Sequence, residues 1–401
     1  MTTSVNAAEA VPTRTKLWSF GIISTGHTLN DLYSNFLPQM LPFLVVLVPG
    51  FGPIEASILV ASFNIFSSLF QPIFGYMVDN KGRSWLVFVG TLWMAFFLSL
   101  TGLAPNFPLM VLFASLSGLG TAAFHPPASV LVNSLDPKRR ALYQSGFVAF
   151  GNIGFALAPL LLVPLFQSFG LKATLFMVFP GMFASLLLFF ALPRGERSAP
   201  KPSSSLAAVW RAIKVARREL LAILGVISIR SVAYTGLLAM LPLYFHSKNI
   251  PNLEASRMLT LMLFVGAIGG VTGGFLSDRF GRKPLIVGSL ILATPLFFGF
   301  LATSGALSLV FFALGGAALL SSFSVTIVAA QEAIPDNKAM AAGLSLGFAN
   351  GIGALAVVLI GTIGDLLGLG TAIAILFCLP LVSGLVGLLL KTQGGLVRVK
   401  S

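Results

Sequence analysis

Charged residues are scarce in this sequence. Only 9% of its 401 residues are Asp, Glu, Lys or Arg, whereas 56% are apolar, and the mean hydropathy is +0.94. A soluble domain usually carries about 25% charged residues, which it needs to cover a water-facing surface. The composition therefore excludes a soluble globular domain and predicts a chain embedded in a lipid bilayer.

Cysteine is almost absent as well. The single cysteine, Cys378, lies in an apolar run, so the chain can form neither an intrachain disulfide nor a cysteine metal cluster. There is also no Walker A loop, no paired-histidine metal motif and no large polar segment that could house catalysis. These absences argue against an enzyme and against an ATP-driven pump. We expect no cofactor and no metal.

Acidic residues are fewer than basic ones, with 12 against 25, which gives a net charge of +13. The basic residues do not cluster on one domain but lie in short tracts between apolar runs, so nucleic acid is not the expected partner. Their distribution instead favours membrane topology. Only Lys172, Lys248 and Arg257 fall in one set of alternate loops, and Arg230 falls within a span. The positive-inside rule then places both chain ends in the cytoplasm of a multi-pass membrane protein.

The apolar runs predict twelve membrane-spanning helices. A helix needs about 20 mostly apolar residues to cross the hydrocarbon core, and lipid offers the backbone no hydrogen-bond partners. The candidate spans are 18–46, 54–78, 85–104, 107–133, 142–167, 172–192, 220–245, 254–277, 284–303, 306–331, 340–366 and 369–390. The alternative is ten or eleven spans with a broken helix, which the first and fifth spans could accommodate.

The polar segment in the middle of the chain divides the spans six and six. We expect a cytoplasmic tail at 1–17, a six-helix bundle at 18–192, a linker at 193–219, a second bundle at 220–390 and a cytoplasmic tail at 391–401. Within the linker, AAVWRAIKVARREL has apolar residues at helical spacing with basic residues between them. This pattern favours an amphipathic helix lying on the inner leaflet, with a merely solvated basic loop as the alternative.

A short charged motif occurs once in each half. It reads Gly-x-x-x-Asp-x-x-Gly-Arg in GYMVDNKGR and again in GFLSDRFGR, and its aspartates, Asp79 and Asp278, are 278 − 79 = 199 residues apart. The tripeptides at 55–57 and 254–256 are both Glu-Ala-Ser and have the same offset. Such a repeat predicts two related six-helix bundles with the binding site between them.

These residues resemble the major facilitator superfamily, whose loop signature between helices two and three is this motif. Within that superfamily, GHTLNDLYSNFLPQMLP, GLGTAAFHPPAS and SGFVAFGNIGFALAPLL are similar to the fosmidomycin-resistance family of drug exporters. The resemblance implies an all-α polytopic fold of two pseudo-symmetric six-helix bundles. It also implies alternating access, with spans one, four, seven and ten around a central cavity.

The repeated motif is expected to act as a conformational latch. An aspartate at the end of a span can accept hydrogen bonds from the N-terminus of a neighbouring helix or pair with nearby arginines. The glycines allow close helix approach and a tight turn. The predicted latch consists of Gly75, Asp79, Gly82, Arg83, Arg139, Arg140, Gly274, Asp278, Gly281 and Arg282. A plain positive-inside loop is the alternative.

Polar residues within the spans mark candidate transport residues, because ionisable groups at membrane depth are costly. Asp31 and Arg230 are also 199 residues apart, so a direct pair between them is one expectation. The proton-coupling candidates are Asp31 and His27, and the substrate-binding candidates are Asn30, Ser34, Thr121, His125, Arg230 and Tyr234. A static salt bridge at Asp31, and histidines that only hydrogen-bond the backbone, are the alternatives.

Span five contains Gly146, Gly151, Gly154 and Pro159, which resemble the antiporter signature of drug exporters. We expect them to permit close packing and bending at the interface between the halves. The sequence thus predicts a monomeric, proton-coupled exporter of small amphipathic or anionic compounds. A proton-coupled importer of a small organic anion or nutrient is the alternative.

Overall fold

The chain is almost entirely helical. A computed structural model describes residues 13–51, 53–81, 85–191 and 206–391, and no β-strand occurs within these ranges. The α-helices are α1 Thr13–Ser34, α2 Phe36–Leu47, α3 Pro53–Leu69, α4 Gln71–Lys81, α5 Leu86–Thr101, α6 Phe107–Ser134, α7 Arg140–Phe169, α8 Val178–Ala191, α9 Leu206–Ser247, α10 Asn252–Phe280, α11 Arg282–Ala302, α12 Gly305–Ser321, α13 Phe323–Ala333, α14 Lys338–Gly343, α15 Asn350–Leu367 and α16 Leu369–Gly387. The all-α fold expected from the sequence is confirmed.

These helices group into twelve rods, several of which are interrupted. The first rod breaks at Asn35, the second at Phe70 and the tenth at Ser322. The sixth begins with a 3₁₀ segment, Gly170–Met177, and the eleventh contains a π-helical segment, Leu344–Ala349. By length and composition, eight stretches of the described chain are long and apolar enough to cross a membrane, and one of them, 140–190, covers two rods.

The predicted linker helix differs from expectation. It is helical, but it continues without a break into span seven, so that α9 runs from Leu206 to Ser247 over 42 residues. At 1.5 Å per residue this helix is about 63 Å long, roughly twice the thickness of a hydrocarbon core. Leu220 on this helix is buried in the core of the second bundle, while Trp210 and Val215 are exposed. The separate helix predicted on the inner leaflet is therefore replaced by an extension of a spanning helix.

The two bundles have separate apolar cores. One core is built on the second half of the chain around Phe245, Phe297, Phe312 and Phe377. Two smaller clusters fill the first half, one around Tyr33 and Phe166 and the other around residues of α6, α7 and α8. Burial of such aromatic side chains makes each bundle a packed unit, which leaves the space between the bundles for a site.

Candidate functional site

The halves meet most closely at the face that carries Asp79 and Asp278, which we call the motif face. There α4 packs against α14, and α7 packs against α10 and α13. At the other end of the first rod, α2 packs against α1, α3, α7 and the 3₁₀ segment at 170–177, all within the first half. The bundles are therefore in contact at the motif face, while a space between them extends away from it.

The two aspartates of the motif form reciprocal helix caps. Asp79 accepts hydrogen bonds from the backbone N–H groups of Ala339 (3.1 Å) and Met340 (2.8 Å) in the first turn of α14. Asp278 accepts from the N–H groups of Ala141 (3.2 Å) and Leu142 (3.0 Å) in the first turn of α7. Each carboxylate thus satisfies free donors at a helix N-terminus of the opposite half. The hydrogen bond expected from the sequence is present in both copies.

The glycines of the motif make this contact close. A Cβ on Gly75 would collide with the backbone of Ala339, and one on Gly274 would collide with the backbone of Ala141 and the hydroxyl of Ser145. Gly281 has φ of +99°, a left-handed conformation that glycine adopts without strain. Gly82 and Arg83, which belong to the predicted latch, lie outside the described residues.

The second copy of the motif also carries an ion network. Arg282 donates to Asp278 at 2.6 Å and to both carboxylate oxygens of Glu332 at 3.1 and 3.3 Å, and Arg140 lies 4.0 Å from Glu332. The network joins α10, α11 and α13 of the second half to α7 of the first. Arg139, the other predicted member, is exposed and forms no ion pair with any residue that the structure describes.

A buried amide network closes the space above the caps. Asn133 donates to Gln331 across the interface at 2.7 Å, and these residues are 198 apart in the chain. Gln331 in turn donates to Ser129 at 3.0 Å, and Ser129 donates to Gln144 at 2.9 Å. All four side chains are buried, so these hydrogen bonds form away from water and seal the motif-face end of the site.

A polar cavity of about 290 Å³ lies between the halves. Of the predicted transport residues, His27, Asp31, Ser34, Thr121 and His125 line it. The other polar residues of this cavity were not singled out from the sequence; they are Asn64, Ser67, Ser68, Gln71 and Asn152. Four of these, from Asn64 to Gln71, occur at i, i+3, i+4 and i+7, the same one-face helical spacing that identified the candidates in span one.

Asp31 is at the centre of a three-residue cluster. Its Oδ2 lies 3.3 Å from Nε2 of His27, and its Oδ1 lies 3.6 Å from Nε2 of His125. His27 is oriented by its second ring nitrogen, since Nδ1 is 2.6 Å from the carbonyl oxygen of Phe147, and its ring stacks on the Phe147 ring at 3.9 Å. The carbonyl can only accept, so Nδ1 carries a proton and Nε2 is free to exchange one. These donor types also suit a metal ion, and all three donor atoms lie within 4.8 Å of one another.

The glycines of α7 make room for this cluster. A Cβ on Gly151 would collide with Oδ2 of Asp31 and the ring of His27, and one on Gly154 would collide with the backbone of Thr28. Gly146 similarly accommodates the ring of Phe20. All three glycines thus permit close packing against α1 of their own half, and α7 itself lies at the interface between the halves, because it packs against α10 and α13. Pro159 lies in α7, but its side chain is outside the described part of the chain.

Arg230 has a different environment from Asp31, and the expected direct pair between them is not formed. The guanidinium is 1% exposed, donates to the hydroxyl of Thr326 at 3.2 Å and lies over the ring of Phe323 at 4.1 Å. Its Nε has no hydrogen-bond partner, and no carboxylate of the described residues lies within ion-pair distance. Tyr234 packs edge-on against the same ring at 6.2 Å.

Two other predicted substrate residues are placed differently from the Asp31 cluster, because Asn30 is not among the residues that line the polar cavity and Thr121 lines it with a hydroxyl that is already bonded. Asn30 is fully buried, and neither its amide nitrogen nor its oxygen has a hydrogen-bond partner. The hydroxyl of Thr121 points to the sulfur of Met94 at 2.9 Å. Phe323, which the sequence did not single out, is the first residue of α13, directly after the break at Ser322. Its side chain lines the polar cavity and two other cavities next to it.

The sequence profile of the Major Facilitator Superfamily matches residues 23–271 and 246–399 of this chain. The chain belongs to the major facilitator superfamily.

Its relatives within that superfamily include named resistance proteins. The chain is 33% identical to the MFS-type transporter YfnC of Bacillus subtilis, over 93% of this chain and 92% of that protein. It is 29% identical to the fosmidomycin resistance protein of Escherichia coli, over 90% of this chain and 89% of that protein. The multidrug resistance protein MdtG of Enterobacter lignolyticus is 28% identical over 66% of this chain and 65% of its own length.

Solved structures of superfamily members share the fold. The transporter FucP in its outward conformation superposes with a TM-score of 0.74 at 16% identity, covering 94% of this chain and all of that one. The human organic anion transporter MFSD10 gives a TM-score of 0.68, also at 16% identity. The major facilitator fold predicted from the repeated motif is therefore confirmed. The relatives of this chain are major facilitator transporters, which are not enzymes.

Proposed function

We propose that this transporter is a proton-coupled antiporter that exports small amphipathic or anionic compounds by alternating access. The observation that carries the proposal is the Asp31 cluster, which lines a cavity between the halves while the motif face is closed. A carboxylate and two imidazoles in one cavity wall can take up a proton on one side of the membrane and release it on the other. The relatives named for fosmidomycin and multidrug resistance support export.

Proton exchange would involve Asp31 and His27 together. Because Nδ1 of His27 is held by the carbonyl of Phe147, a proton between Nε2 and Oδ2 of Asp31 can be shared without rotation of the ring. His125 approaches the other carboxylate oxygen, so a proton on either histidine would pair that ring with Asp31. When the cluster gains or loses a proton its charge changes, and this change can alter the relative free energies of the inward-open and outward-open conformations.

Arg230 is the proposed anion-binding residue. It has an unused N–H donor and no acidic partner among the described residues, and its position on Phe323 adds a cation–π contact. A buried guanidinium without a counter-ion is unfavourable unless a ligand supplies one. An anionic substrate group that reached it would therefore gain more than a neutral one.

The latch would stabilise the conformation described above, with the cytoplasmic side closed. Both described chain ends lie at the motif face, because Phe20 packs on Tyr143 at 5.3 Å and Lys283 donates to the carbonyl of Leu388 at 2.8 Å. Together with the loop charges, this supports cytoplasmic termini in a bacterial inner membrane. We place the motif face in the cytoplasm, and we expect the protein to act as a monomer.

Transport into everted membrane vesicles with an imposed pH gradient tests direction and coupling together. The panel would contain amphipathic drugs and phosphonates, with Glu254→Gln as a matched control because Glu254 is exposed. We expect uphill substrate accumulation against proton flow in the parent and the control, and its loss in Asp31→Asn. Substrate movement in the same direction as the protons would identify an importer. Uphill transport by Asp31→Asn would remove the proton role of Asp31.

A further inference from the structure

The polar cavity has a larger and more apolar neighbour. A second cavity of about 500 Å³, which we call the lateral cavity, lies between α3, α9 and the eleventh rod. Its walls contain Ala61, Ile65, Leu69, Phe348, Ile352 and Leu355. Neither the polar motifs nor the symmetry of the repeat predicted an apolar chamber at this position.

The lateral cavity has a polarity gradient. Its outer rim carries large apolar side chains that are strongly exposed, among them Leu69 at 51% and Leu355 at 70%. Its inner end carries hydroxyl groups of Ser231, Thr235 and Tyr234. An apolar rim that leads to a polar interior has the arrangement that binds a ligand with two chemically different ends.

The two cavities are adjacent. Asn64, Ser68 and Phe323 line both the lateral cavity and the polar cavity, so these three side chains form their common wall. Phe323 is held in place by Arg230, which lies over one face of its ring. A ligand lying across this shared boundary would have its polar end near the Asp31 cluster and its apolar end in the lateral cavity, beside the ring of Phe323.

Glycine in the eleventh rod keeps the lateral cavity open. Gly351 lines it, and a Cβ there would lie 3.2 Å from Cβ of Ser68 on the opposite half. The π-helical segment at 344–349 comes directly before it and carries Phe348 on the cavity wall. Single π-helical turns occur mainly at functional sites, because the extra residue widens the helix locally.

We infer that the lateral cavity is a second subsite, which binds the apolar part of an amphipathic substrate whose polar part occupies the polar cavity. This inference deepens the proposed function, since it specifies the substrate class as a molecule with a separate polar head and apolar tail. Burial of each additional methylene of such a tail should increase affinity about fourfold until the subsite is filled.

Equilibrium binding of two homologous series tests this subsite. One series has a phosphonate head and the other a trimethylammonium head, each with n-alkyl tails from ethyl to octyl, so tail dependence is measured independently of head charge. Binding to the purified full chain is measured for the parent, for Gly351→Val and for Ile352→Asn. Gly351→Val adds a side chain that occupies part of the subsite, and Ile352→Asn makes the exposed rim of the subsite polar.

Gly361→Val is the matched control. It makes the same change on the same helix, but a Cβ at Gly361 would meet only the methyl group of Met240 at 4.0 Å. We expect affinity to rise with tail length in the parent and in Gly361→Val, and this rise to be largely lost in Gly351→Val and reduced in Ile352→Asn. Ethyl ligands should bind equally to all four proteins.

Two results would overturn the subsite. One is an affinity independent of tail length in both series. The other is the same tail dependence in Gly351→Val as in Gly361→Val, which would place the tail in detergent or lipid. Binding does not require a pH gradient, so the two proposals fail separately. Tail-dependent binding without proton-driven transport would contradict only the proposed proton coupling. Proton-driven transport without tail-dependent binding would contradict only the subsite.

Discussion

In the first half of the chain Asp31 faces two histidines in a polar cavity, whereas at the equivalent position of the second half Arg230 is buried against an aromatic ring. At the motif face the halves instead remain alike, because Asp79 and Asp278 each cap a helix of the other half. The duplicated scaffold is therefore retained where the bundles contact each other. At the centre, the two copies carry groups of opposite charge and therefore suit different ligands.

Among changes at these sites, Arg230→Gln should have the largest effect on substrate binding. A hydrogen bond to a charged group contributes about 1.5–3 kcal/mol, so loss of the guanidinium should weaken binding of an anionic substrate roughly 10- to 100-fold. Thermal stability of the ligand-free protein should not fall, because the change removes a buried charge that has no acidic partner in the described chain.

The matched control is Arg217→Gln, an exposed basic position on the same helix. It should change neither anion affinity nor melting temperature. Unaltered anion binding by Arg230→Gln, measured by calorimetry, would show that the second half does not bind the substrate through this residue.

Replacing either of the two caps should have an intermediate effect. A charged cap contributes about 0.5–2 kcal/mol, so Asp79→Asn should leave substrate affinity unchanged and slow turnover severalfold. Asp278→Asn should also slow turnover, since it removes the partner of Arg282 at 2.6 Å as well as the cap of α7. Turnover in proteoliposomes and equilibrium substrate binding, measured on both variants, separate these effects.

Asp136→Asn serves as the control for the caps. Asp136 lies in the loop before α7, where its carboxylate accepts from the N–H of Lys138 within the same loop. Its replacement should leave turnover at the parent rate. Equal rates in Asp79→Asn and the parent would count against a latch.

The smallest effect is expected for Thr121→Val. The hydroxyl of Thr121 contacts the sulfur of Met94, so it is already used within the first half. Substrate affinity should change less than twofold, and a larger loss would show that the Thr121 hydroxyl binds the substrate. Ser34→Ala provides the comparison, because Ser34 lines the same cavity and bonds only its own helix at 3.1 Å.

Much of the fold was predictable because its causes are local and repeated. Hydropathy located the rods, and the recurrence of one motif at Asp79 and Asp278 specified two related halves. A broken first span was one of the alternatives that the sequence left open, whereas the break at Ser322 was not predicted, since no proline or glycine lies within four residues of it. At Asn35 the break is accompanied by a hydrogen bond from the side-chain amide to the carbonyl of Phe155.

The site was only partly predictable, for a geometric reason. Helical spacing identifies which residues share a face, as it did for His27 and Asp31, but it does not give the rotation of one rod against another. The sequence therefore paired Asp31 with Arg230, whereas the fold brings Asp31 to His125. Gly151 was correctly singled out, but its neighbour could be identified only from the structure.

The most direct test of the difference between the halves compares substrate exchange with uphill transport in the same proteoliposomes. Exchange at equal substrate concentrations requires binding and alternation but no net proton movement. We predict that Asp31→Asn retains exchange and loses accumulation driven by a pH gradient, whereas Arg230→Gln loses both for an anionic substrate. Accumulation by Asp31→Asn at the parent level would contradict proton coupling through the first half.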